Sequence, residues 1–303
     1  MIGLGLVLGL AATLAVASAQ PSPFVPGSQS DIQVEPLSPF ERRLVDKVRS
    51  SGKVIENRTV GPASGNARGM VVEGGGNAIL NLSVTGRKYG VSLDGTGEVL
   101  IKNFRFMERR SGDRFGSGII LGKTTGTRGE TYLSNAWIDL KERGPEPDYQ
   151  LANNEAISVE GGNRPLNVRR TVMLGGQDAG VDTKGDVRID ASFIASGHRP
   201  VRIWSGAKVV IANSVVLAFE GFGGFWFGGG DGTARLEYYN CRFGRVGDRA
   251  DQLTDRLPDW MIAKDPDETV TVQIKRLDAD PFDRRADSFW VPAKAPLPKG
   301  FLK

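Results

Sequence analysis

The sequence predicts an all-β solenoid built from stacked three-strand coils, with a short capping helix in front of it. From about residue 54 to residue 245, short runs with β-branched residues alternate with Gly, Asn and Asp, and no window has a helical period. These runs recur at intervals of roughly 20 to 24 residues, which is the signature of a stacked repeat. Glycine supplies 40 of the 303 residues without the Gly-X-Y period of collagen.

The repeat is clearest in the first strand of each coil. A second strand follows in most coils and a short third strand follows that, with longer gaps at residues 109–118, 124–129 and 141–153. Asparagine recurs just before the third strand, where it tolerates the left-handed conformation of a tight bend. An antiparallel barrel or sandwich is the alternative, but those folds need hairpin turns and lack a three-strand order. The first strands align at residues 70–73, 91–94, 119–122, 157–160, 181–184, 201–204 and 225–228.

The remaining segments flank the solenoid. Ser38 and Glu41 have the spacing of a capping box, which predicts a helix over residues 38–53 that covers the exposed strand edges of the first coil. Residues 246–303 are charged and rich in Pro, and we expect them to pack on the solenoid or cap its last coil. Trp260, Phe282 and Trp290 are the expected anchors.

The amino-terminal residues predict export. An apolar, uncharged run over residues 2–16 is followed by Ala17-Ser18-Ala19, the pattern of a signal-peptidase site, so residues 1–19 are interpreted as a signal peptide. An uncleaved anchor is the alternative. Residues 20–37 are rich in Pro and Ser and are interpreted as a linker. We therefore expect a secreted or periplasmic bacterial protein without stable membrane insertion after cleavage.

Composition excludes several kinds of site. One Cys excludes an intramolecular disulfide framework, and one His excludes sites that need two or three imidazoles. The net charge of +4 is spread along the chain, which gives no argument for nucleic acid but suits an acidic ligand.

The Gly-rich, Asn-punctuated coils behind a helix and a signal peptide resemble the right-handed parallel β-helices of the pectate-lyase superfamily. The resemblance covers residues 54–245. It implies the fold but not one reaction, because the superfamily contains lyases, glycoside hydrolases, esterases, epimerases and non-catalytic proteins. The chain lacks the Asp-Asp pair of the related polygalacturonases, and Gly197-His198-Arg199 matches only part of their Gly-His-Gly segment. Residues 199–202 are likewise shorter than the Arg-x-Pro-x-x-Arg pattern of some pectate lyases.

Equivalent side chains of stacked strands lie about 4.8 Å apart, so a polar row forms one continuous surface. Polar and aromatic residues concentrate in the last four aligned coils, and we expect them to share one face bordered by Asp178 and residues 197–199. The outward row contains Val71, Ser92, Ile120, Ser158, Asp182, Arg202 and Trp226, and the row two residues later contains Glu73, Asp94, Gly122, Glu160, Lys184, Trp204 and Gly228.

These residues suit β-elimination on a uronate-containing glycan. Trp204, Trp226 and Arg199 would bind the sugar, and Glu160, Asp178 and Asp182 could hold Ca²⁺ against its carboxylate. The catalytic candidates are Lys184, Arg202 and His198. We expect the neighbouring Arg202 charge and burial under Trp204 to lower the Lys184 pKa, with His198 as the competing base.

Two function classes follow. The first is a secreted lyase acting on an acidic polysaccharide, with hydrolysis by Asp178 and Asp182 as its enzymatic alternative. The second is a non-catalytic β-helix that binds glycan or serves a surface-structural role. In that case the charged residues are an ion-pair ladder and the two indoles cover a gap.

Overall fold

The computed structural model describes residues 33–95, 97–108, 115–122, 129–140, 153–161, 164–219, 223–264 and 266–303, together with the backbone of residues 24–26. The predicted signal peptide and most of the predicted linker lie outside these residues, as do large parts of the three expected insertions.

The molecule consists mainly of parallel strands stacked in long sheets, which is consistent with a parallel β-helix. Successive strands of each sheet come from successive repeats of the sequence. The first sheet contains eight strands in the order β23 (Ile262–Lys264), β20 (Phe225–Gly228), β17 (Arg199–Trp204), β14 (Ala179–Thr183), β11 (Asn153–Val159), β8 (Phe115–Leu121), β5 (Tyr89–Leu93) and β3 (Arg68–Val72).

The second sheet has two arms that meet at the long strand β4 (Asn77–Arg87). One arm contains β2 (Lys53–Val60), β6 (Val99–Lys102), β9 (Thr131–Ser134), β12 (Leu166–Arg169), β15 (Val187–Asp190), β18 (Lys208–Ala212), β21 (Thr233–Tyr239) and β24 (Thr271–Arg276). The other contains β7 (Arg105–Glu108), β10 (Trp137–Asp139), β13 (Val172–Leu174), β16 (Phe193–Ser196), β19 (Val215–Ala218) and β22 (Arg242–Arg245).

The stack extends further than the sequence predicted. Strand β23 pairs with β20, and β24 pairs with β21, so stacking continues to Arg276 rather than ending at residue 245. The sequence of β24 alternates apolar and polar residues, but the charged and Pro-rich residues around it obscured its membership of the sheet.

Apolar columns fill the interior. Val181 pairs with Val201, and Val201 pairs with Phe225, and all three side chains are fully buried. Each strand covers the apolar side chain of its neighbour, so one coil alone could not bury them. The stack therefore gains its hydrophobic stabilisation only as an assembly of coils.

Asparagines occupy the bends between the arms of the second sheet. Asn81, Asn103 and Asn135 have φ of 58°, 56° and 52°, in the left-handed region that Asn tolerates. Their amides form a ladder in which Asn135 Nδ2 donates to Asn103 Oδ1 at 2.6 Å and Asn103 Nδ2 donates to Asn81 Oδ1 at 2.8 Å. Arg170 and Ala191 take the same conformation further along the stack.

Helix α1 (Pro39–Ser51) begins with the predicted capping box and packs against strands of the second sheet. Leu44, Val45 and Val48 pack on outward side chains of β4 and β6. The 13 residues span about 20 Å, which is close to four strand spacings. Amphipathic spacing predicts a buried face but not the surface that buries it.

A buried ion pair fixes the start of this helix. Glu41 and Lys102 have exposed fractions of 0% and 1%, and Lys102 Nζ lies 3.1 Å from Glu41 Oε2. Ser134 Oγ donates to Glu41 Oε1 at 2.5 Å. These contacts, together with the strong burial, hold the helix amino terminus against β6 and β9.

The predicted linker contains ordered contacts. Strand β1 (Phe24–Pro26) pairs in parallel with β25 (Ala295–Leu297), and the Glu35 backbone amide donates to Asn103 Oδ1 at 3.1 Å. Composition alone identified a Pro-rich segment but not its backbone partners.

The carboxyl-terminal extension packs on the outside of the second sheet. Phe282 stacks on Trp290 at 4.0 Å between centroids and contacts Val210 and Ala212. Arg284 Nη1 lies 2.6 Å from Oδ2 of the buried Asp190. Trp260 is 40% exposed, and Cζ of Arg245 on β22 lies 4.7 Å from its ring centroid.

The ladder gives a test of the stack. Replacing Asn103 by Ala should lower the free energy of unfolding by about 2 to 4 kcal/mol, because Ala disfavours positive φ and removes the amide hydrogen bonds. Asn103→Gly, which accepts positive φ, should lose about 1 kcal/mol less. Denaturant unfolding measures both values. Equal losses in the two variants would show that the backbone conformation contributes nothing.

Candidate functional site

The register of the first sheet gathers the predicted residues on one face. Ser158 pairs with Asp182, Asp182 with Arg202, and Arg202 with Trp226. The alignment of the repeats predicted this row, and the backbone pairing confirms it. Four successive strands therefore bring together residues that are spread over nearly seventy positions of the chain.

Arg202 occupies the centre of the cluster. Its Nη1 lies 2.6 Å from Asp178 Oδ2 and 3.4 Å from Asp182 Oδ2, and only 4% of the residue is exposed. Its Cζ lies 5.1 Å from the Trp204 ring centroid and 4.9 Å from that of Trp226. A guanidinium held by two carboxylates stays protonated. Arg202 therefore positions these groups and is unsuited to act as a base.

The two indoles form a corner over this cation. Their rings meet edge to face at 5.4 Å between centroids, and Trp204 Nε1 donates to Asp182 Oδ1 at 2.5 Å. Trp226 is buried, whereas Trp204 is half-buried and retains surface for a ligand. Arg199 Nη1 lies 2.8 Å from Asp178 Oδ1, and its Cζ lies 5.3 Å from the Trp226 ring centroid.

Glu160 and Lys184 form a more accessible rim. Lys184 Nζ lies 2.7 Å from Glu160 Oε2, with 34% of the Lys184 side chain and 36% of the Glu160 side chain exposed. Ser158 Oγ donates to Glu160 Oε1 at 2.6 Å. The ammonium also lies 5.3 Å from the Trp204 ring centroid.

The expected lowering of the Lys184 pKa is wrong. Partial burial acts to lower this pKa, but the hydrogen bond and charge of Glu160 outweigh it and raise the pKa above its usual value. Repulsion from Arg202 does act on Lys184, but it contributes less than the Glu160 carboxylate, which lies 2.7 Å from Nζ. Lys184 is consequently protonated at neutral pH.

The proposed calcium ligands are occupied by protein partners. Glu160 is bound by Lys184, Asp178 by two arginines, and Asp182 by Trp204 and Arg202. Within the residues the structure describes, no group of three or more Asp, Glu, His or Cys side chains is arranged to hold a metal ion. Carboxylates that are already bound by Lys and Arg do not fit a Ca²⁺ site.

His198 lies in the turn between β16 and β17 and is half-buried. The turn is held beside Asp178, because the Arg199 amide donates to the Asp178 carbonyl at 2.8 Å. His198 therefore borders the cluster, as the sequence predicted for this segment.

The cluster also contains a carboxyl that the sequence argument missed. Glu155 lies on β11, where it pairs with Ser117 and Ala179, and only 8% of it is exposed. It precedes the aligned row by three residues, so a simple two-residue alternation did not place it on the outer face. The polar Asn-Asn-Glu run at the start of this strand was the available signal.

Burial sets the protonation of the carboxyls. Desolvation and the charges of Asp182 and Asp178 raise the pKa of Glu155 well above its usual value, against the opposing charge of Arg202. Burial also raises the Asp182 pKa, although Arg202 and the Trp204 hydrogen bond act to lower it. The site thus places a carboxyl that favours its protonated form beside two aspartates that are bound by Arg202.

Comparison of the chain with family models, with curated proteins and with solved structures gave no match. Helix α1 is neither long nor apolar enough to cross a membrane, and the described part of the chain holds no other helix that is.

The Glu155 pKa predicts a pH dependence of stability. The folded-state pKa exceeds the unfolded value, so folding binds a proton and wild-type stability should fall as the pH rises from about 4.3 to the folded pKa. Glu155→Gln should remove this fall. At neutral pH, the free energy of unfolding of the variant should then exceed that of the wild type by about 1.4 kcal/mol for each pKa unit by which folding raises the Glu155 pKa.

Denaturant unfolding at several pH values tests this, with Glu73→Gln, at an exposed position directly after β3, as the control. The control should follow the wild-type profile. A Glu155→Gln profile with the wild-type slope would contradict a raised Glu155 pKa.

Proposed function

We propose that this chain is an exported protein that cleaves an acidic polysaccharide on the outer face of its first sheet. We also propose that its coils are right-handed three-strand coils of the pectate-lyase-like superfamily. Support for a glycan comes from an extended face with a half-buried indole, a buried indole and arginines at its centre. Indoles stack on sugar rings, and arginine and lysine attract uronate carboxylates.

Hydrolysis is the reaction that this geometry favours. The observation that carries it is Glu155, which is buried beside Asp182 and Asp178, where desolvation and the two aspartate charges raise its pKa and favour the protonated carboxyl. Glycoside hydrolysis needs a protonated carboxyl to donate to the leaving oxygen and an ionised carboxylate on the other side of the sugar. We assign the first role to Glu155 and the second to Asp182.

In the proposed reaction a sugar ring stacks on Trp204 at the accessible rim. Glu155 gives its proton to the glycosidic oxygen as the bond to the anomeric carbon breaks, and Asp182 takes a proton from the attacking water. Arg202 holds Asp182 and Asp178 in place, and Arg199 steadies Asp178. Lys184 at the rim would attract the carboxylate of a neighbouring uronate.

β-Elimination is the second candidate. The observation that favours it is Lys184, which lies at the rim beside Trp204 and could reach the proton next to a uronate carboxylate. Lys184 would first have to pass its own proton to another group, because Glu160 raises its pKa. This reaction therefore requires alkaline pH, whereas acid catalysis by Glu155 works below the Glu155 pKa.

The products distinguish the candidates. Incubation of residues 20–303 with a panel of uronate polymers should release reducing ends without ultraviolet absorbance if the bond is hydrolysed. Elimination would produce an unsaturated sugar that absorbs. Glu155→Gln should lower kcat at least about 100-fold, the usual contribution of a general acid, whereas Glu73→Gln should leave it unchanged.

Lys184→Met provides the opposing test, because it should raise KM for hydrolysis but abolish elimination. The absence of both products on every polymer, with binding retained, would favour the non-catalytic alternative. In that case the buried ion pairs have only a structural role in the stack of strands.

A further inference from the structure

A second cluster of cations and aromatic rings lies at the amino-terminal end of the same sheet. It consists of Arg68, Lys88, Tyr89 and Phe115, and we call it the Lys88 cluster. Tyr89 pairs with Arg68 on one side and with Ser117 on the other. None of these residues takes part in the proposed cleavage.

The ammonium of Lys88 is largely withdrawn from water. The residue is only 7% exposed, and its Nζ donates to Asn66 Oδ1 at 3.1 Å. Among the residues that the structure describes, no carboxylate lies within salt-bridge distance of this Nζ. Within the described residues, the hydrogen-bond partner of this buried cation is a neutral amide, which offsets little of the cost of burying a charge, and an anionic ligand would offset more of it.

Aromatic rings surround this cation. Lys88 Nζ lies 5.4 Å from the Tyr89 ring centroid and 5.9 Å from that of Phe115. Arg68 Cζ lies 5.9 Å from the Tyr89 centroid, so a second cation contributes to the cluster. Phe115 is 49% exposed, which is unusual for so large an apolar side chain. The cluster therefore combines an exposed ring for stacking with buried positive charge.

The register aligns this cluster with the candidate site. Tyr89, Ser117 and Glu155 occupy one row of successive paired residues. Two strand spacings of about 4.8 Å separate Tyr89 from Glu155, so the clusters lie about 10 Å apart along the stacking axis. A chain of sugars that follows this axis would contact both.

We propose that the Lys88 cluster is a separate binding site for an acidic sugar unit, with Lys88 binding the anionic group and Phe115 and Tyr89 stacking on the ring. The ligand is then an extended acidic glycan, with one sugar unit bound at the Lys88 cluster while another lies at Glu155. The placement of a second sugar unit at Glu155 rests on the proposed function, whereas anion binding by the Lys88 cluster does not. Carboxylate and sulfate groups both carry the required negative charge, and the experiment below distinguishes between them.

Binding of defined oligosaccharides tests the site. Titration calorimetry would use three acidic oligomers of six sugar units, which contain galacturonate, glucuronate or mannuronate. The same oligomers with esterified carboxyl groups and a sulfated hexamer would be measured alongside them. Glu155→Gln protein serves in parallel so that binding is read without cleavage. We expect at least one acidic oligomer to bind wild-type protein and its uncharged form to bind at least 10-fold more weakly.

Lys88→Met should weaken binding of the acidic oligomer at least 10-fold and abolish most of the difference between acidic and esterified forms. Phe115→Ala should weaken both forms alike, because stacking does not depend on the charge. The matched control is Lys275→Met, an exposed lysine on β24 of the second sheet, which should change affinity less than 2-fold. Thermal unfolding of each variant shows whether the fold is retained.

The outcomes separate the two proposals. Charge-dependent binding lost in Lys88→Met, with no cleavage of any polymer, would retain the Lys88 site and reject the proposed reaction. Cleavage with unchanged charge dependence in a folded Lys88→Met protein would reject the Lys88 site alone. Failure of all carboxylated and sulfated oligomers to bind would overturn the site. Preference for the sulfated hexamer would identify sulfate as the bound group.

Discussion

The structure depends above all on the parallel hydrogen-bonded register between successive strands. Val181, Val201 and Phe225 are paired in the interior, and Asp182, Arg202 and Trp226 follow them on the outer face. A slip by one residue would exchange these two sets, because side chains alternate between the faces of a strand. Apolar burial would then be lost and the charges would enter the core. The same constraint therefore stabilises the fold and assembles the candidate site.

The sequence could predict this row because its apolar repeat sets the register directly. It could not place Glu155, since that residue reaches the outer face at three residues before Ser158 rather than two or four. It gave the wrong direction for the Lys184 pKa because the nearest charge depends on side-chain conformation. It identified the apolar face of helix α1 but not strands β4 and β6 beneath it, because a helical period carries no information about the packing partner.

Buried charge has two uses in this molecule. Glu41 and Lys102 form a buried ion pair beneath helix α1, where the charges fix the position of the helix. Arg202 and its two aspartates are about equally buried, but the half-exposed Trp204, Glu160 and Lys184 lie beside them. Replacing a buried ion pair by apolar residues is often neutral or stabilising, so stability alone is weak grounds for keeping such a cluster. The accessible rim distinguishes the cluster around Arg202 from the Glu41–Lys102 ion pair.

The coverage of the sheets fits this distinction. Helix α1 and the Phe282–Trp290 stack pack on the outer side of one arm of the second sheet, and Phe301 joins apolar residues of the other arm. On the first sheet, by contrast, Val71 and Phe115 are exposed and Trp204 retains accessible surface. Because strands stack about 4.8 Å apart, each added coil lengthens such a surface without changing its width. A ligand that matches this face is therefore long and repetitive, and a glycan with a charged group on its sugars has that form.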